Sequence, residues 1–472
     1  MPLTVLSDFD VNKILHSYNK EDIEALQETL ADALHWYSTS NDANDACSDY
    51  QPERTHLQRK DGSTTLFMPA SGLTGQGIKV VNIVPPDASG LPAFKDDASL
   101  GSGDSRSSIS GQSRTDSIST MESVASSNTS ASVKTKGSDT VDQMRELTMN
   151  SPTAGRSSTS TIRGSLTLLD NLGNTTGLIN AEEVTAFRTA LAATMLLKKR
   201  HSVHTITIFG AGKQAYWHAR LALLLRGSEC HHLNIITRNF STAQQMIQRL
   251  YNPQPEDPDY VNHIGPGYNS KTKKEILTPS HTEYHRLLKD YVRQSEVIFT
   301  TTPSTTPLFP ATYLTNPAGR TKGRYISCIG SYTPSMVEIH PDILRYAVAP
   351  HHEHRHIHKR QKEGGAIIVD TVSGCLKEAG EVIQAGLKPD QVVELGELFM
   401  LKRDAEKRMN EKGEKTTERG CNLQENVGLR EWLTRGNVIY KSVGLGLMDV
   451  TVGNALVETA RETGVGVTIE RF

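Results

Sequence analysis

The chain has 472 residues, which is long enough for two domains plus insertions. Its 51 basic and 53 acidic side chains leave a formal charge of −2, so no overall field favours nucleic acid or an anionic membrane. Five scattered cysteines without a C-x-x-C pair argue against a disulfide framework and a structural zinc site, and the chain has no bilayer-length apolar run and no signal-peptide core. We therefore expect a soluble, cytoplasmic protein that binds no metal, no nucleic acid and no membrane.

The first 94 residues alternate between helical and extended patterns. Residues 5–8 resemble a short strand, and a helix is expected to begin at Asp10. Apolar residues at helical spacing predict a longer amphipathic helix over residues 20–37. After a polar loop, residues 66–70 and 77–85 have the composition of two strands.

A Ser- and Thr-rich segment follows from residue 95 to residue 161. It has few apolar residues and no sustained period, so it is predicted to be disordered. Two interpretations are open: a tolerated surface insertion, or a regulatory loop controlled by phosphorylation, for which Ser105 to Ser108 provide a target. Unchanged activity and regulation in cells after deletion of residues 97–158 would exclude the second.

Regular structure resumes with a predicted strand over residues 164–170 and a turn over residues 174–177. A helix is expected over residues 182–199. It leads into a β-branched run, Thr205 to Phe209, typical of a buried parallel strand.

The centre of the sequence is the glycine-rich turn after this strand. Gly210 permits a tight turn, Gly212 allows close approach of a pyrophosphate, and Ala215 allows close packing of the next helix, expected over residues 216–226. The free N–H groups of a helix N-terminus favour phosphate binding. This order of strand, turn and helix predicts a dinucleotide site.

The end of the second strand, residues 233–237, indicates which dinucleotide is bound. The sequence there is Thr237-Arg238-Asn239, without the carboxylate that usually binds a ribose 2′-hydroxyl. Arg238 fits a 2′-phosphate, so we expect NADP, with NAD as a possibility. The alternative is an Arg238 that is only a solvated strand end.

The second half of the chain alternates between strands and polar insertions. Three more strands, at 297–302, 325–330 and 366–370, separated by helical segments, favour a doubly wound parallel sheet. A His-rich run at residues 351–358 is interpreted as a solvated loop in preference to a metal site, and a charge-rich run at residues 402–418 as an exposed segment. The predicted elements are a polar insertion at 252–280, strands at 297–302, 325–330, 366–370 and 438–444, and a closing helix at 449–462.

Short motifs spread over nearly all the chain outside the insertions resemble the ornithine cyclodeaminase/μ-crystallin family. Each is weak singly, but their order along the chain is specific. They are Pro52 to Thr55, Met68 to Ala70, Lys79 to Asn82, Leu169-Asp170 with Thr176-Gly177, Thr185 to Ala190, Gly210 to Ala215, Thr301 to Ser304, Ile329 to Ser331, Glu394 to Glu397 and Lys441 to Gly444.

The resemblance implies an α/β protein in which a Rossmann-type doubly wound parallel sheet is inserted into a second α/β domain for substrate binding and dimerisation. It implies a homodimer that passes a hydride between nicotinamide and the α-carbon of a small imino or amino acid. The implied boundaries are 1–94 and 162–186 for the two parts of the substrate domain, 95–161 for the disordered insertion, 187–446 for the Rossmann domain with insertions near 252–280, 351–365 and 402–425, and 447–472 for a C-terminal helix that returns to the substrate domain.

An imino-acid substrate carries a carboxylate, which needs fixed cations. Arg54, Lys79 and Arg188 are the basic residues in the matching motifs and are expected to bind it. Lys79 could also donate a proton to the substrate nitrogen. The alternative for each is an ordinary salt bridge. The expected cofactor-binding residues are Gly210, Gly212, Gln214, Ala215, Thr237, Arg238, Asn239 and Thr302.

One position departs from the cyclodeaminases, in which an Asp after the Ile-Gly-x stretch is the catalytic base. Here it is Tyr332, whose reference pKa of about 10 is unsuited to that role. Tyr332 is instead a candidate catalytic hydroxyl for a reductase of cyclic imino acids in amino-acid metabolism of the proline or lysine type. The other hypotheses are an ornithine cyclodeaminase and a catalytically silent NADPH-binding regulatory protein.

Overall fold

The computed structural model describes residues 2–39, 51–52, 54–72, 74–84, 161–251, 272–349, 365–399 and 427–472. The Ser/Thr-rich stretch up to residue 160, the His-rich run and the charge-rich run lie outside these residues. In the described part the strands form two sheets, one with seven strands and one with eight.

The seven-stranded sheet is built from both ends of the chain. Its order is β15-β1-β6-β5-β4-β3-β2; strands β2 to β6 pair antiparallel in sequence order, and β1 lies parallel to β6. The strands are β1 Leu3–Leu6, β2 Thr55–Gln58, β3 Thr64–Gly72, β4 Gly75–Val84, β5 Thr161–Leu169, β6 Thr175–Asn180 and β15 Val467–Ile469.

Four helices accompany this sheet: α1 Asp8–Ser17, α2 Lys20–Thr39, α3 Ala181–Thr194 and, near the C-terminus, α12 Gly446–Thr463. Helix α12 packs on β3, β4 and β5, and β15, which follows it, pairs with β1 at the edge of the sheet. Helix α3 continues as a 3₁₀ turn, Met195–Lys199. The predicted domain boundary after residue 186 falls inside α3. The domain division itself stays a prediction.

The eight-stranded sheet is entirely parallel, which confirms the predicted doubly wound fold. Its order is β13-β12-β14-β11-β10-β7-β8-β9, so the strand order reverses beside β7, between β8 and β10. Ligands of such sheets bind at the carboxyl ends of the strands around this reversal. The strands are β7 Thr205–Phe209, β8 His232–Ile236, β9 Lys273–Leu277, β10 Val297–Thr300, β11 Tyr325–Cys328, β12 Ile367–Val369, β13 Val392–Glu394 and β14 Val438–Lys441.

Helices alternate with these strands, as a parallel sheet requires. They are α4 Lys213–Arg226, α5 Phe240–Tyr251, α6 Tyr284–Gln294, α7 Thr312–Thr315, α8 Pro341–Val348, α9 Val372–Glu378, α10 Gly380–Ala385 and α11 Val427–Arg435. None of the helices in the described ranges is long and apolar enough to cross a membrane.

Three local predictions were wrong. Helix α1 begins at Asp8 and not at Asp10, because Ser7 and Asp10 form a reciprocal capping box. The turn predicted over residues 174–177 lies earlier, around Gly173 (φ 86°), so the Thr-Gly-rich segment is strand β6. The polar insertion predicted over residues 252–280 contains β9, a charged strand at the sheet edge where only one neighbour is needed.

Candidate active site

The glycine-rich turn after β7 has the geometry of a phosphate-binding turn. Gly210 has φ 111°, and a Cβ there would lie 2.7 Å from Thr301 Oγ1, so only glycine fits without strain. Gly212 is the N-cap of α4, and a Cβ there would meet no atom within 4 Å. The turn is therefore tight on one side and open on the other.

The first turn of α4 has groups for an anionic ligand. The helix has no side-chain N-cap hydrogen bond, so no capping side chain occupies its first amides and they can serve a ligand. Ala215 is fully buried and allows α4 to pack closely on the sheet. Gln214 Oε1 is buried without a hydrogen-bond donor among the described residues. These features fit the pyrophosphate of a dinucleotide.

The residues after β8 differ in what they already contact. Asn239 Oδ1 accepts hydrogen bonds from the amides of Ser241 (3.0 Å) and Thr242 (3.3 Å), so it caps α5. Thr237 Oγ1 accepts a hydrogen bond from the Asn239 amide at 3.4 Å, within the same turn. Arg238 is exposed, and no carboxylate of the described segments pairs with it. Arg238 is thus the group here that can receive a ligand phosphate.

A buried carboxylate joins the ends of β10 and β11. Glu338 accepts hydrogen bonds from the amide of Thr302 (2.7 Å) and the amide of Gly330 (2.6 Å). Burial raises the pKa of Glu338, although these amides and Lys441 act in the opposite direction. The Thr302 hydroxyl also donates to Glu338, at 3.3 Å. Thr302 is therefore held in place by Glu338 beside the reversal point of the sheet.

Two of the predicted substrate cations meet on one buried carboxylate. Lys79 Nζ, from β4, lies 2.9 Å from Asp449 Oδ1, and Arg188 Nε, from α3, lies 3.3 Å from the same oxygen. The side chains of Lys79, Arg188 and Asp449 are 2%, 5% and 1% exposed. Asp449 belongs to the first turn of α12, so three separate elements bring these charges together.

Burial lowers the pKa of Lys79 to about 8. Asp449 raises the pKa of this ammonium group, whereas the nearby Arg188 and Arg54 lower it further. The Lys79 side chain is therefore cationic below about pH 8 and loses its proton above it. A group that titrates so close to neutrality can exchange a proton with a bound substrate.

The third cation, Arg54, lies against the turn after β14. Its Nη2 donates to the carbonyl oxygens of Val443 (3.2 Å) and Gly444 (2.9 Å), and its Nη1 lies 3.4 Å from a Glu378 oxygen. Gly444 has φ 94°, and a Cβ there would lie 2.7 Å from Arg188 Nη2. Gly444 is therefore the contact point of both guanidinium groups.

Asp370, at the end of β12, fixes this turn. Its carboxylate accepts hydrogen bonds from the Ser442 hydroxyl (2.7 Å), the Val443 amide (3.1 Å) and the Gly444 amide (2.6 Å). Asp370 therefore holds the turn whose carbonyl groups, on Val443 and Gly444, bind Arg54.

Tyr332 follows a tightly held segment at the end of β11. The Ser331 carbonyl accepts a hydrogen bond from Lys441 Nζ at 2.6 Å, and the Ser331 hydroxyl donates to Glu381. Burial raises the pKa of Tyr332, so its hydroxyl stays protonated near neutral pH. The catalytic role of Tyr332 stays a prediction.

The carboxyl ends of β14, β11, β10 and β7 are consecutive along one edge of the sheet. Since neighbouring strands lie about 4.8 Å apart, the turns after β14 and β7 are about 15 Å apart along this edge. The three predicted cations lie around the first turn and the predicted dinucleotide residues around the second. No group of three or more potential metal ligands occurs in the part of the chain that the structure describes.

Sequence reasoning missed Asp449, Asp370 and Glu338. Asp370 and Asp449 were noticed only as the end of a strand and the start of a helix. A buried acid at such a position is recognisable only from its partners, which here lie 370, 261 and 72 residues away for Lys79, Arg188 and Ser442.

Comparison with known proteins places this geometry in context. No family model matches the chain. It is 26% identical over 319 residues to a Δ1-pyrroline-2-carboxylate reductase of Bacillus cereus, covering 66% of this chain and 75% of the relative. It is 29% identical over 273 residues to an uncharacterized protein of Saccharomyces cerevisiae, covering 54% of this chain and 67% of the relative.

Solved structures share the whole fold. The Δ1-pyrroline-2-carboxylate reductase of Thermococcus litoralis, solved with NADH and L-proline, matches with a TM-score of 0.57 at 15% identity, over 99% of this chain and 100% of that chain. A lysine cyclodeaminase matches with a TM-score of 0.57 at 15% identity, over 100% of this chain and 96% of that chain. These similarities agree with the predicted resemblance to the ornithine cyclodeaminase/μ-crystallin family: the sequence is similar to pyrroline-2-carboxylate reductases, and the fold is that of a solved reductase and a solved cyclodeaminase.

Proposed function

We propose that this protein is an NAD(P)-dependent oxidoreductase that reduces a cyclic imino acid by hydride transfer to its α-carbon. The observation that carries this proposal is the buried Lys79–Asp449–Arg188 cluster, with Arg54 beside it, at the sheet edge that also holds the dinucleotide turn. The Bacillus cereus relative, a Δ1-pyrroline-2-carboxylate reductase, supports this substrate class.

The cations account for recognition of a carboxylate. Lys79, Arg188 and Arg54 carry three positive charges; Asp449 offsets one of them and Glu378, 3.4 Å from Arg54, a second, so one positive charge remains in excess. A surplus of positive charge in a buried site attracts a substrate carboxylate strongly, because little water screens it. Arginine can also bind that group through two parallel hydrogen bonds.

Lys79 is the proposed proton donor. Reduction of a C=N bond adds a hydride to carbon and a proton to nitrogen. When bound, the reduced nicotinamide supplies the hydride. Lys79, with its pKa lowered to about 8 by burial, can give the proton near neutral pH and recover one from solvent. The protonated Tyr332 hydroxyl is proposed as a second donor that orients the substrate nitrogen.

The proposed cofactor is NADP, with NAD as a possible substitute. Gly210, Gly212, Gln214 and Ala215 would hold the pyrophosphate. Thr237, Arg238 and Asn239 would contact the adenosine ribose, with Arg238 on the 2′-phosphate, and Thr302 would lie beside the nicotinamide. Arg238 is exposed and pairs with no carboxylate of the described residues, which supports NADP. The structural neighbours solved with NADH or NAD⁺ support a nicotinamide dinucleotide in general.

A second candidate is the cyclisation of ornithine to proline with loss of ammonia, for which the lysine cyclodeaminase of the same fold provides the precedent. Tyr332 weighs against it, because a protonated phenol cannot accept the proton of a substrate ammonium. A third, a silent NADPH-binding regulator, is disfavoured by the presence of all three cations. A homodimer and a cytoplasmic location stay predictions; the archaeal alanine dehydrogenase of this fold was solved as a dimer.

The test is oxidation of NADPH and NADH by the purified protein with Δ1-pyrroline-2-carboxylate and Δ1-piperideine-2-carboxylate. We expect imine-dependent oxidation with NADPH preferred. Ornithine is assayed separately, with ammonia as the readout. Ammonia release without net cofactor oxidation would replace the reductase by the cyclodeaminase, and no turnover with NADPH still bound would favour the regulator.

Lys79→Arg sharpens this test. Arginine keeps the positive charge but does not titrate in the accessible range, so we expect about a hundredfold or greater loss of kcat. We also expect loss of the fall in wild-type activity as pH rises through about 8. A variant that keeps wild-type kcat and the same pH profile would exclude Lys79 as the proton donor. Lys377→Arg, on α9 outside the proposed site, is the matched control.

A further inference from the structure

Asp449 is a buried acid between the two proposed substrate-binding cations. Its Oδ1 lies 2.9 Å from Lys79 Nζ and 3.3 Å from Arg188 Nε. The three residues come from β4, α3 and α12, elements that are far apart in the sequence. The shared carboxylate is therefore a direct link between the two cations.

The hydrogen bonds of Asp449 differ from those of the other buried acid nearby. Asp370 uses both oxygens to hold backbone amides and the Ser442 hydroxyl, as expected for a carboxylate that supports a loop. Asp449 Oδ1 accepts from side-chain cations, and Oδ2 is buried without a donor among the described residues. The interactions of Asp449 are therefore directed at the substrate-binding groups and not at the backbone.

The charged groups that face Lys79 are Asp449 on α12, Arg188 on α3 and Arg54 ahead of β2. Of these, Asp449 alone favours the ammonium form, and it acts both as a charge and as a hydrogen-bond acceptor. Without it, burial and two arginines would act together against the charge on Lys79. Lys79 would then lose its proton at a lower pH.

We propose that Asp449 is a positioning residue of the reaction, a built-in counter-ion that holds the Lys79 ammonium and the Arg188 guanidinium at fixed places for the substrate carboxylate. This inference rests on the proposed function, because it assigns a role within the same site. Asp449 acts through Lys79 and Arg188 and does not itself exchange a proton with the substrate.

The test compares wild type, Asp449→Asn and Glu458→Gln. The last makes the same carboxylate-to-amide change at an exposed position of α12. For Asp449→Asn we expect KM for the imine to rise about tenfold near pH 6. We also expect the alkaline fall in kcat to move about one unit lower in pH, because an opposite charge at this distance shifts a pKa by that amount or more. Glu458→Gln should leave both values unchanged.

An alkaline fall at the wild-type pH, or a KM at or below the wild-type value, would overturn the inference. Asp449→Glu covers the case in which the asparagine variant does not fold. It keeps the charge but displaces the carboxylate, so KM should rise while the alkaline fall stays in place. A wild-type KM in Asp449→Glu would contradict the positioning role.

Binding of pyrrole-2-carboxylate, measured by calorimetry, separates this inference from the proposed function. This planar acid contains no reducible imine, so its affinity does not depend on turnover. If the wild-type protein reduced no imine, the proposed reaction would fail. A tenfold weaker binding of the acid to Asp449→Asn would still support Asp449, and equal affinity for wild type and variant would refute it.

Discussion

The turns after β7 and β14 both end a buried parallel strand with glycine, yet their surroundings are opposite. At Gly212, in the β7 turn, an added Cβ would meet no atom within 4 Å. At Gly444, in the β14 turn, it would lie 2.7 Å from the Arg188 guanidinium. The first turn leaves room for a ligand, whereas the second is filled by the protein's own cations.

This difference shows two uses of glycine at one sheet edge. In the β7 turn it admits a ligand from outside. In the β14 turn it admits Arg188, while the Gly444 carbonyl accepts Arg54. The β14 turn therefore helps to position Arg188 and Arg54. Substitutions there should affect the substrate site, whereas substitutions in the β7 turn should affect cofactor binding.

The largest effect is expected for Gly444→Ala. Its φ of 94° costs a non-glycine residue about 1–3 kcal/mol, and the methyl group must displace Arg188. We expect a lower thermal unfolding midpoint and about a hundredfold loss of kcat/KM for the imine. Gly464→Ala is the matched control, since φ there is 68° and its Cβ would meet nothing within 4 Å. Equal KM values in the two variants would show that Arg188 does not depend on Gly444.

A smaller effect, confined to the cofactor, is expected for Arg238→Ala. Loss of a charge-assisted contact to a 2′-phosphate is worth about 2 kcal/mol, so the KM for NADPH should rise about thirtyfold. The KM for NADH should hardly change. Arg286→Ala removes an exposed arginine on α6 and serves as the control. Similar losses for NADPH and NADH would remove the basis for NADP preference.

The smallest effect on stability is expected for Gly212→Ala. Gly212 has φ −87° and free space around it, so the folded protein should tolerate the methyl group within about 0.5 kcal/mol. The KM for either dinucleotide should nevertheless rise about tenfold, because the methyl group would occupy the approach of the pyrophosphate. Thermal unfolding and cofactor titration check both parts. A variant with wild-type cofactor affinity would show that the open space is not the phosphate site.

The two turns also differ in how well they could be predicted from the sequence. The β7 turn is local: strand, glycines and helix are contiguous, so the motif alone predicted the geometry around Gly210 and Gly212. Arg54, Lys79 and Arg188 were found only through motifs shared with a family, because nothing near them in sequence indicates that they converge. Their convergence depends on packing across hundreds of residues.

Asp449 could not be recognised for the same reason. Acidic residues in the first turn of a helix are common because they favour the helix dipole, so an Asp there carries no signal of a buried ion pair. Strand β9 was missed because its charged residues, Lys273 to Glu275, follow a long polar stretch. A strand at a sheet edge does not need an apolar run, and composition alone could not separate it from a loop.

The pairing of β4 with β5 has a consequence for protein engineering. Val84, the last residue of β4, is the register partner of Thr161, the first residue of β5. Residues 85–160 therefore leave and re-enter the sheet at one pair of register partners. Closing a loop costs only about 0.6 kcal/mol more for each doubling of its length. The stability of the sheet should therefore depend little on the length of the connection between Val84 and Thr161. We therefore expect the register on which Lys79 depends to survive replacement of residues 85–160 by a short turn or by a foreign domain with adjacent termini.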